Sequence, residues 1–317
     1  MTYVSIPASF LSSFEGKNAT FFIEIKTPYG SYQAPVNLAS LIPGLQDLLA
    51  TNNLKIEDIS FKADKFSKAL TRVIPMPKSM ANMPSQWGAF RYNETTKKFE
   101  FVAARKEQID GVWYMMISSY SNSVYVVAEN TVSFSDMFKH WGQSIVQLAA
   151  AKGLAEGVGG GKYAPNQSVT RAEFTAMLVR ALGRDTSSGS TAPYDDVKPG
   201  VWYYDAVAKA EELGLLGFAS GNSFKPDQPL TREEMASMLA AVIALEKLPI
   251  TKEVVGLDRY KDIGSVDPAY LEDVRLMVDL KIMTGTGTTE FSPKSGTTRA
   301  QAAIVLVRTL QTLGMMD

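Results

Sequence analysis

A chain of 317 residues with 32 Lys+Arg against 33 Asp+Glu has a formal net charge of −1, which gives no electrostatic reason to expect nucleic acid or an anionic membrane as partner, although a local basic site can still hold an anion. There is no cysteine and a single histidine, His140, so disulfides, thiolate metal sites, cysteine nucleophiles and any site needing two histidines are excluded, and neither metal nor cofactor is expected. No apolar run approaches the ~18 residues that span a bilayer, so no membrane insertion is expected.

The start, Met1-Thr2-Tyr3-Val4-Ser5, lacks the basic segment and apolar core of a secretory signal. Residues 1–130 then predict a mainly-β domain, a sandwich or barrel. Residues 20–25 are rich in aromatic and β-branched types, whereas 38–49 predict a helix. Phe90-Arg91-Tyr92 and Phe99-Glu100-Phe101 alternate around a polar turn at 93–98, which predicts a hairpin. Residues 111–118 and 124–129 flank 119–123 in the same manner. Trp87 and Trp113 offer ring faces on which sugars can stack, but strand aromatics of this kind are usually core. Glu107 with Asp110, or Glu94 with Glu100, are the acid pairs a glycoside-hydrolysing domain would need. Their spacing is not diagnostic, and exposed hairpin carboxylates usually face solvent.

After Val132 the sequence repeats itself. Tyr163-Ala164-Pro165 precedes Thr170-Arg171-Ala172-Glu173, Phe224-Lys225-Pro226 precedes Thr231-Arg232-Glu233-Glu234, and Phe291-Ser292-Pro293 precedes Thr298-Arg299-Ala300-Gln301. The proline-to-arginine step is 6 in every copy. Upstream stands an aromatic-x-Asp element, Phe134-Ser135-Asp136, Tyr194-Asp195-Asp196 or Tyr260-Lys261-Asp262, at Asp-to-Arg intervals of 35, 36 and 37. Apolar residues at helical spacing precede a glycine-bearing loop (157–161, 217–221, 285–287) and follow the Thr-Arg element. Each repeat therefore reads as helix, loop, helix, with boundaries at 131–190, 191–255 and 256–317. Short helix pairs cannot bury their stripes alone, so the three should pack together.

Thr-x-x-Glu ahead of an apolar run is a capping box, satisfied by Thr170 with Glu173, Thr231 with Glu234 and Thr298 with Gln301. Capping does not account for Arg171, Arg232 and Arg299, which stand at the first helical position against the helix field. A cation beside free N–H groups at a helix end suits an anion, and the guanidinium fork can grip a carboxylate. The alternative is pairing with Asp136, Asp196 and Asp262. Trp141 and Trp202, with Tyr270 in the third repeat, open the first helices, where an aromatic beside an arginine-lined groove would hold a sugar ring. His140 reads as a helix-start residue.

Together these elements resemble the S-layer homology domain over residues 132–317, close to 60% of the chain. The β-rich half is similar, much more weakly, to segments preceding such triplets in surface proteins of Paenibacillus-like bacteria. The resemblance implies an α+β multi-domain chain: a mainly-β domain followed by an all-α pseudo-threefold bundle of three helix-loop-helix repeats. It further implies non-covalent anchoring to the cell wall, with inter-repeat grooves binding a pyruvylated secondary cell-wall polysaccharide, a peptidoglycan-associated glycan. Carried over by position, the ligand residues would be Arg171, Arg232 and Arg299, then Asp136, Asp196 and Asp262 with Trp141, Trp202 and Tyr270. Two departures bear on this: Glu233 adds an acid beside the arginine of repeat two, and Gln301 replaces the third glutamate. An extracellular location at the cell wall or S-layer then makes the chain the C-terminal piece of a longer precursor, or a sequence that starts late. The competing readings are a polysaccharide-processing enzyme whose β-rich half is catalytic, and a module that self-associates into a surface lattice.

Overall fold

The computed structural model describes residues 19–27, 30–37, 65–76, 80–93, 98–121, 125–184, 186, 189, 191–219, 221–247 and 255–317. The helix predicted over 38–49 and the side chain of Glu94 lie outside these residues. The chain divides into two compact units, one of residues 1–132 with 151–153 and 317, the other of residues 133–150 and 154–316.

The first unit is built of antiparallel strands. These are β1 (Ala19–Thr27), β2 (Gly30–Asn37), β3 (Lys65–Pro75), β4 (Trp87–Asn93), β5 (Lys98–Val102), β6 (Ala104–Ile109), β7 (Val112–Ser121) and β8 (Tyr125–Glu129). One sheet runs β2-β1-β8-β4-β5 and the other β3-β7-β6. The predicted hairpin is present, with Tyr92 opposite Phe99 and Phe90 opposite Phe101. The second predicted hairpin is not. β7 is paired on both sides by β3 and β6, while β8 is paired by β1 and β4, so the chain crosses between sheets there. Both strands alternate, as a hairpin requires, but local alternation does not specify which neighbour supplies the hydrogen bonds.

Side chains from both sheets share one core: Trp87, Ala89, Val102 and Val127 from the first, Ala104, Met115 and Ile117 from the second. Met115 and Ile117 are two residues apart and wholly buried, as the strand period demands. Trp87 is buried there and Trp113 packs against it, so both tryptophans serve the core. Lys152 is also buried in this unit, where its Nζ donates to the Trp87 carbonyl at 2.9 Å and lies 3.7 Å from Asp317 Oδ2. Burial lowers the pKa of this amine, and the Asp317 charge opposes the shift.

The second unit holds the repeats. Their first helices are α1 (Gln143–Ala151), α3 (Tyr204–Glu212) and α5 (Leu271–Asp279). Their second helices are α2 (Arg171–Ala181), α4 (Arg232–Glu246) and α6 (Arg299–Thr312). Each second helix starts with a complete capping box, the threonine accepting from the backbone three residues on and the Glu or Gln accepting from the threonine N–H. Of the apolar stripe Phe174, Met177, Leu178, Ala181 and Leu182 that the spacing predicts at α2, all but the partly buried Met177 are buried, and the matching stripe of Met235, Met238, Leu239, Val242 and Ile243 on α4 is buried throughout. Each of the larger of these side chains contributes about 1.5–3 kcal/mol when fully withdrawn from water.

Hydrogen bonds between repeats close on themselves. Val169 N–H donates to Thr297 O at 2.9 Å, Thr297 N–H to Leu230 O at 2.8 Å, and Leu230 N–H to Val169 O at 3.0 Å. At the helix starts, Arg171 and Ala172 N–H donate to Gln228 and Pro226 of repeat two (2.9 and 3.0 Å). Arg232 and Glu233 donate to Ser295 and Pro293 of repeat three (both 3.1 Å), and Arg299 and Ala300 to Gln167 and Pro165 of repeat one (2.8 and 3.1 Å). The second helices thus donate from one to two, two to three and three to one. These N–H groups are helix-end donors with no partner inside their own helix, and the neighbouring loop satisfies them.

Candidate functional site

The aromatic-x-Asp elements shape the loops that receive those bonds. Asp136 accepts from the N–H groups of Tyr163 and Ala164 at 2.8 and 2.7 Å. Asp196 accepts from Phe224 and Lys225 at 2.9 and 2.8 Å and from the Ser223 hydroxyl at 2.8 Å. Asp262 accepts from Phe291 and Ser292 at 2.8 and 2.6 Å. Burial tends to raise these carboxyl pKa values, but the backbone donors together outweigh it and leave all three lowered.

The second N–H in each pair belongs to a residue in the left-handed region, Ala164 at φ +58°, Lys225 at +56° and Ser292 at +58°. Each also precedes a proline, which disfavours helical backbone conformations. A non-glycine residue in that region is strained by roughly 1–3 kcal/mol, which the aspartate bonds offset. The twist aims the proline carbonyl at the neighbouring repeat's helix. Inside each repeat the motif's two rings also meet, Phe134 on Tyr163 at 5.3 Å, Tyr194 on Phe224 at 5.6 Å and Tyr260 on Phe291 at 5.7 Å. Glycine is required beside two of these rings: a Cβ on Gly157 would lie 2.8 Å from Phe134, and one on Gly285 2.6 Å from Tyr260.

The arginines fasten the same loops from the other side. Arg232 Nε donates to Phe291 O at 2.8 Å and its Nη2 to Thr284 O at 2.6 Å. Arg299 repeats this with Tyr163 O at 2.9 Å and Glu156 O at 2.7 Å. Arg171 donates to Phe224 O at 2.9 Å and pairs with Glu234 at 2.6 Å, so one carboxylate serves as helix cap and ion-pair partner. Each guanidinium lies 4.8 Å from a ring centre, over Phe218, Phe291 and Tyr163 respectively. Burial pushes the Arg232 pKa down to about 10, still far above neutrality.

Two expectations about these helix starts need correcting. The free N–H groups expected beside the arginines are engaged: the first two donate to the next repeat and the third to the threonine cap. Nor do the aspartates take up the arginines' hydrogen bonds. Their oxygens serve their own loops, and the guanidinium groups bind carbonyls of the next repeat. Sequence spacing located the arginines but carried no record of their partners, which lie in another copy of the repeat.

Trp141 and Trp202 stand two residues ahead of α1 and α3 and are 67% and 68% exposed. Ala269 holds that position before α5, and the following Tyr270 is partly buried. Phe138, which the motif reading overlooked, is more exposed than either tryptophan. Its only signal was its place beside Trp141 in the aromatic stretch from Phe134 to Trp141. His140 caps the turn into α1, its Nδ1 accepting from Gly142 N–H at 3.1 Å. Of the acid pairs, Glu107 lies 3.4 Å from exposed Arg105, Asp110 sits in the β6–β7 turn, and Glu100 is held by Arg91 and Asn93 at 2.7 and 2.6 Å. Among the described residues no helix is long and apolar enough to cross a membrane.

A closed set of helix pairs, each pinned by an aromatic-x-Asp loop and a Thr-Arg cap, defines the class. The S-layer homology domain matches at residues 133–175, 193–236 and 259–303. The chain carries three S-layer homology domains in its C-terminal part. An amylopullulanase of Thermoanaerobacterium thermosulfurigenes is 30% identical over 86% of this chain and 14% of its own length. That similarity is longer than the stretch from Ser133 onward, so it extends into the β-rich unit. An exoglucanase of Acetivibrio thermocellus is 32% identical over 58% of this chain and 17% of its own length. An S-layer protein of Bacillus thuringiensis subsp. finitimus is 28% identical over 63% of this chain and 24% of its own length. The chain thus spans no more than about a quarter of these relatives.

Proposed function

We propose that this chain holds a surface protein on the bacterial cell wall, outside the cell, by non-covalent binding of a pyruvylated secondary cell-wall polysaccharide. The three repeats act as one pseudo-threefold bundle, a reading supported by the closed cycle of bonds among Val169, Leu230 and Thr297. The glycan lies along the junctions between neighbouring repeats. The observation that carries this reading is the pair of exposed indoles, Trp141 and Trp202, at the same position in two repeats. Large rings left in water beside hydrogen-bonding loops are what a sugar's apolar face stacks on.

In this reading Asp136, Asp196 and Asp262 shape the receiving loops. The loop bonds of Arg299 engage two of its guanidinium's five N–H donors, and the remainder of that fork, with that of Arg171, faces the ketal carboxylate. Relatives as different as an amylopullulanase and an S-layer protein share this segment, as a portable attachment region would be shared. The role is attachment and not catalysis.

The test is co-sedimentation of the full chain with purified walls before and after mild acid removal of pyruvate ketals. Binding to untreated walls and its loss on depyruvylation are expected. Failure to sediment with untreated walls overturns the anchoring role, and persistent binding after treatment overturns the pyruvate specificity.

A further inference from the structure

The three junctions between repeats are chemically unequal. After the arginine, repeats one and three carry Ala172 and Ala300, whereas repeat two carries Glu233. That carboxylate is buried, 5% exposed, and both its oxygens are engaged by repeat three. Oε1 accepts from Lys294 Nζ at 2.5 Å, and Oε2 accepts from the Asp267 backbone N–H at 3.1 Å. Lys294 follows the proline of the Phe-x-Pro loop, where the other repeats have Asn166 and Asp227. Tyr270 is close enough for its hydroxyl pKa to be raised, by burial first and then by Glu234, Asp267 and Glu233. At this junction an ammonium, a backbone N–H and a phenol ring therefore surround a carboxylate, and the chain itself supplies that carboxylate.

We propose that Glu233 is an internal substitute for an acidic ligand, closing the junction of repeats two and three to carboxylated sugars and confining them to the other two. This rests on the wall-polysaccharide reading above. An incoming carboxylate would have to displace Glu233 from both donors and leave a buried charge unpaired, which is strongly unfavourable. The resident acid is also tethered, so it competes at a local concentration that a free glycan does not reach. Removing it frees Lys294 and the Asp267 N–H for a ligand and creates a third site. The fold tolerates the change, because Ala172 and Ala300 make the same backbone bond to a neighbouring proline carbonyl as Glu233 does.

The experiment is an NMR titration of the 15N-labelled full chain with a methyl hexoside bearing a pyruvate ketal, with the unmodified methyl hexoside as control. In the wild type, the Trp141 and Trp202 indole N–H signals should shift saturably while the Asp267 amide stays fixed. In Glu233→Ala the Asp267 amide and the Lys294 ammonium should shift saturably as well, with affinity at that junction raised at least tenfold. Glu233→Gln, which keeps the buried volume, should show a smaller gain at the same signals. A saturable, ketal-dependent shift of Asp267 in the wild type would overturn the proposal, and so would its absence in Glu233→Ala. Silent tryptophans in both chains would count against the wall reading instead, while the Asp267 signal still decides the role of Glu233.

Discussion

Replacing Arg232 by alanine should destabilise the repeats far more than loss of a surface charge would. The side chain is 4% exposed, and its two hydrogen bonds to carbonyls of repeat three measure 2.8 and 2.6 Å. At about 1.5–3 kcal/mol for each bond from a charged donor, the pair represents roughly 3–6 kcal/mol. Stacking on Phe291 adds about 0.5–2 kcal/mol. Burial works in the opposite direction, as the depressed pKa of about 10 records. The variant regains that desolvation term but strands the carbonyls of Phe291 and Thr284. A net loss of about 3 kcal/mol is expected, a large part of the 5–15 kcal/mol typical of whole domains. Urea unfolding of the full chain, followed at 222 nm where the helices dominate, measures it directly. Arg232→Lys should recover only part of the loss, because an ammonium lacks the planar fork that reaches both carbonyls. A loss below about 1 kcal/mol would refute the bridging role, since an exposed charge contributes no more than that. The result also governs how binding data are read: weaker wall binding by Arg232→Ala indicts ligand contact only if the unfolding midpoint is retained.

Thr298→Ala removes one half of the α6 capping box and should cost about 1 kcal/mol in the same unfolding assay. Trp141→Ala combined with Trp202→Ala should leave the unfolding midpoint unchanged, because both rings are exposed, yet weaken wall co-sedimentation about tenfold, near 1.4 kcal/mol. The lowered pKa values of Asp136, Asp196 and Asp262 mean that their stabilisation is fully present above the usual carboxyl value of 3.8 and is lost as pH falls through and below it. Acid titration of the helical signal should therefore show a transition below about pH 4; loss of helix between pH 5 and 7 would contradict that assignment.

The repeat half was legible in the sequence because its signals are local and occur three times. Thr170, Thr231 and Thr298 announce their own helices, and stripes such as Met235 to Ile243 fix the buried face by spacing alone. What stayed hidden is non-local. Nothing near Arg171 in the sequence indicates that its partner is Glu234 of the next repeat, 63 residues on. Likewise, nothing near Asp136 shows that its carboxylate receives the backbone of Tyr163 and Ala164. The aspartates, the arginines and the aromatic-x-Pro loop between them were each found as repeated elements, but that both side chains hold that loop was not. In the β-rich half, alternation correctly marked β4, β5, β7 and β8 as strands. It joined β7 to β8 because a short polar segment separates them, whereas sheet assignment depends on β3, β6, β1 and β4 competing for the same edges. Glu233 was visible as an oddity, but its occupancy by Lys294 and Asp267 required the third repeat in place.

The central claim, that wall glycan binds at the junctions between repeats, is tested most directly by a crystal structure of the full chain with a pyruvylated fragment of the wall polysaccharide. A sugar ring stacked on Trp141 or Trp202, with its ketal carboxylate directed at the Thr-Arg end of the adjoining repeat, is the expected result. Glycan lodged on the β-rich unit, with both indoles bare, would contradict it.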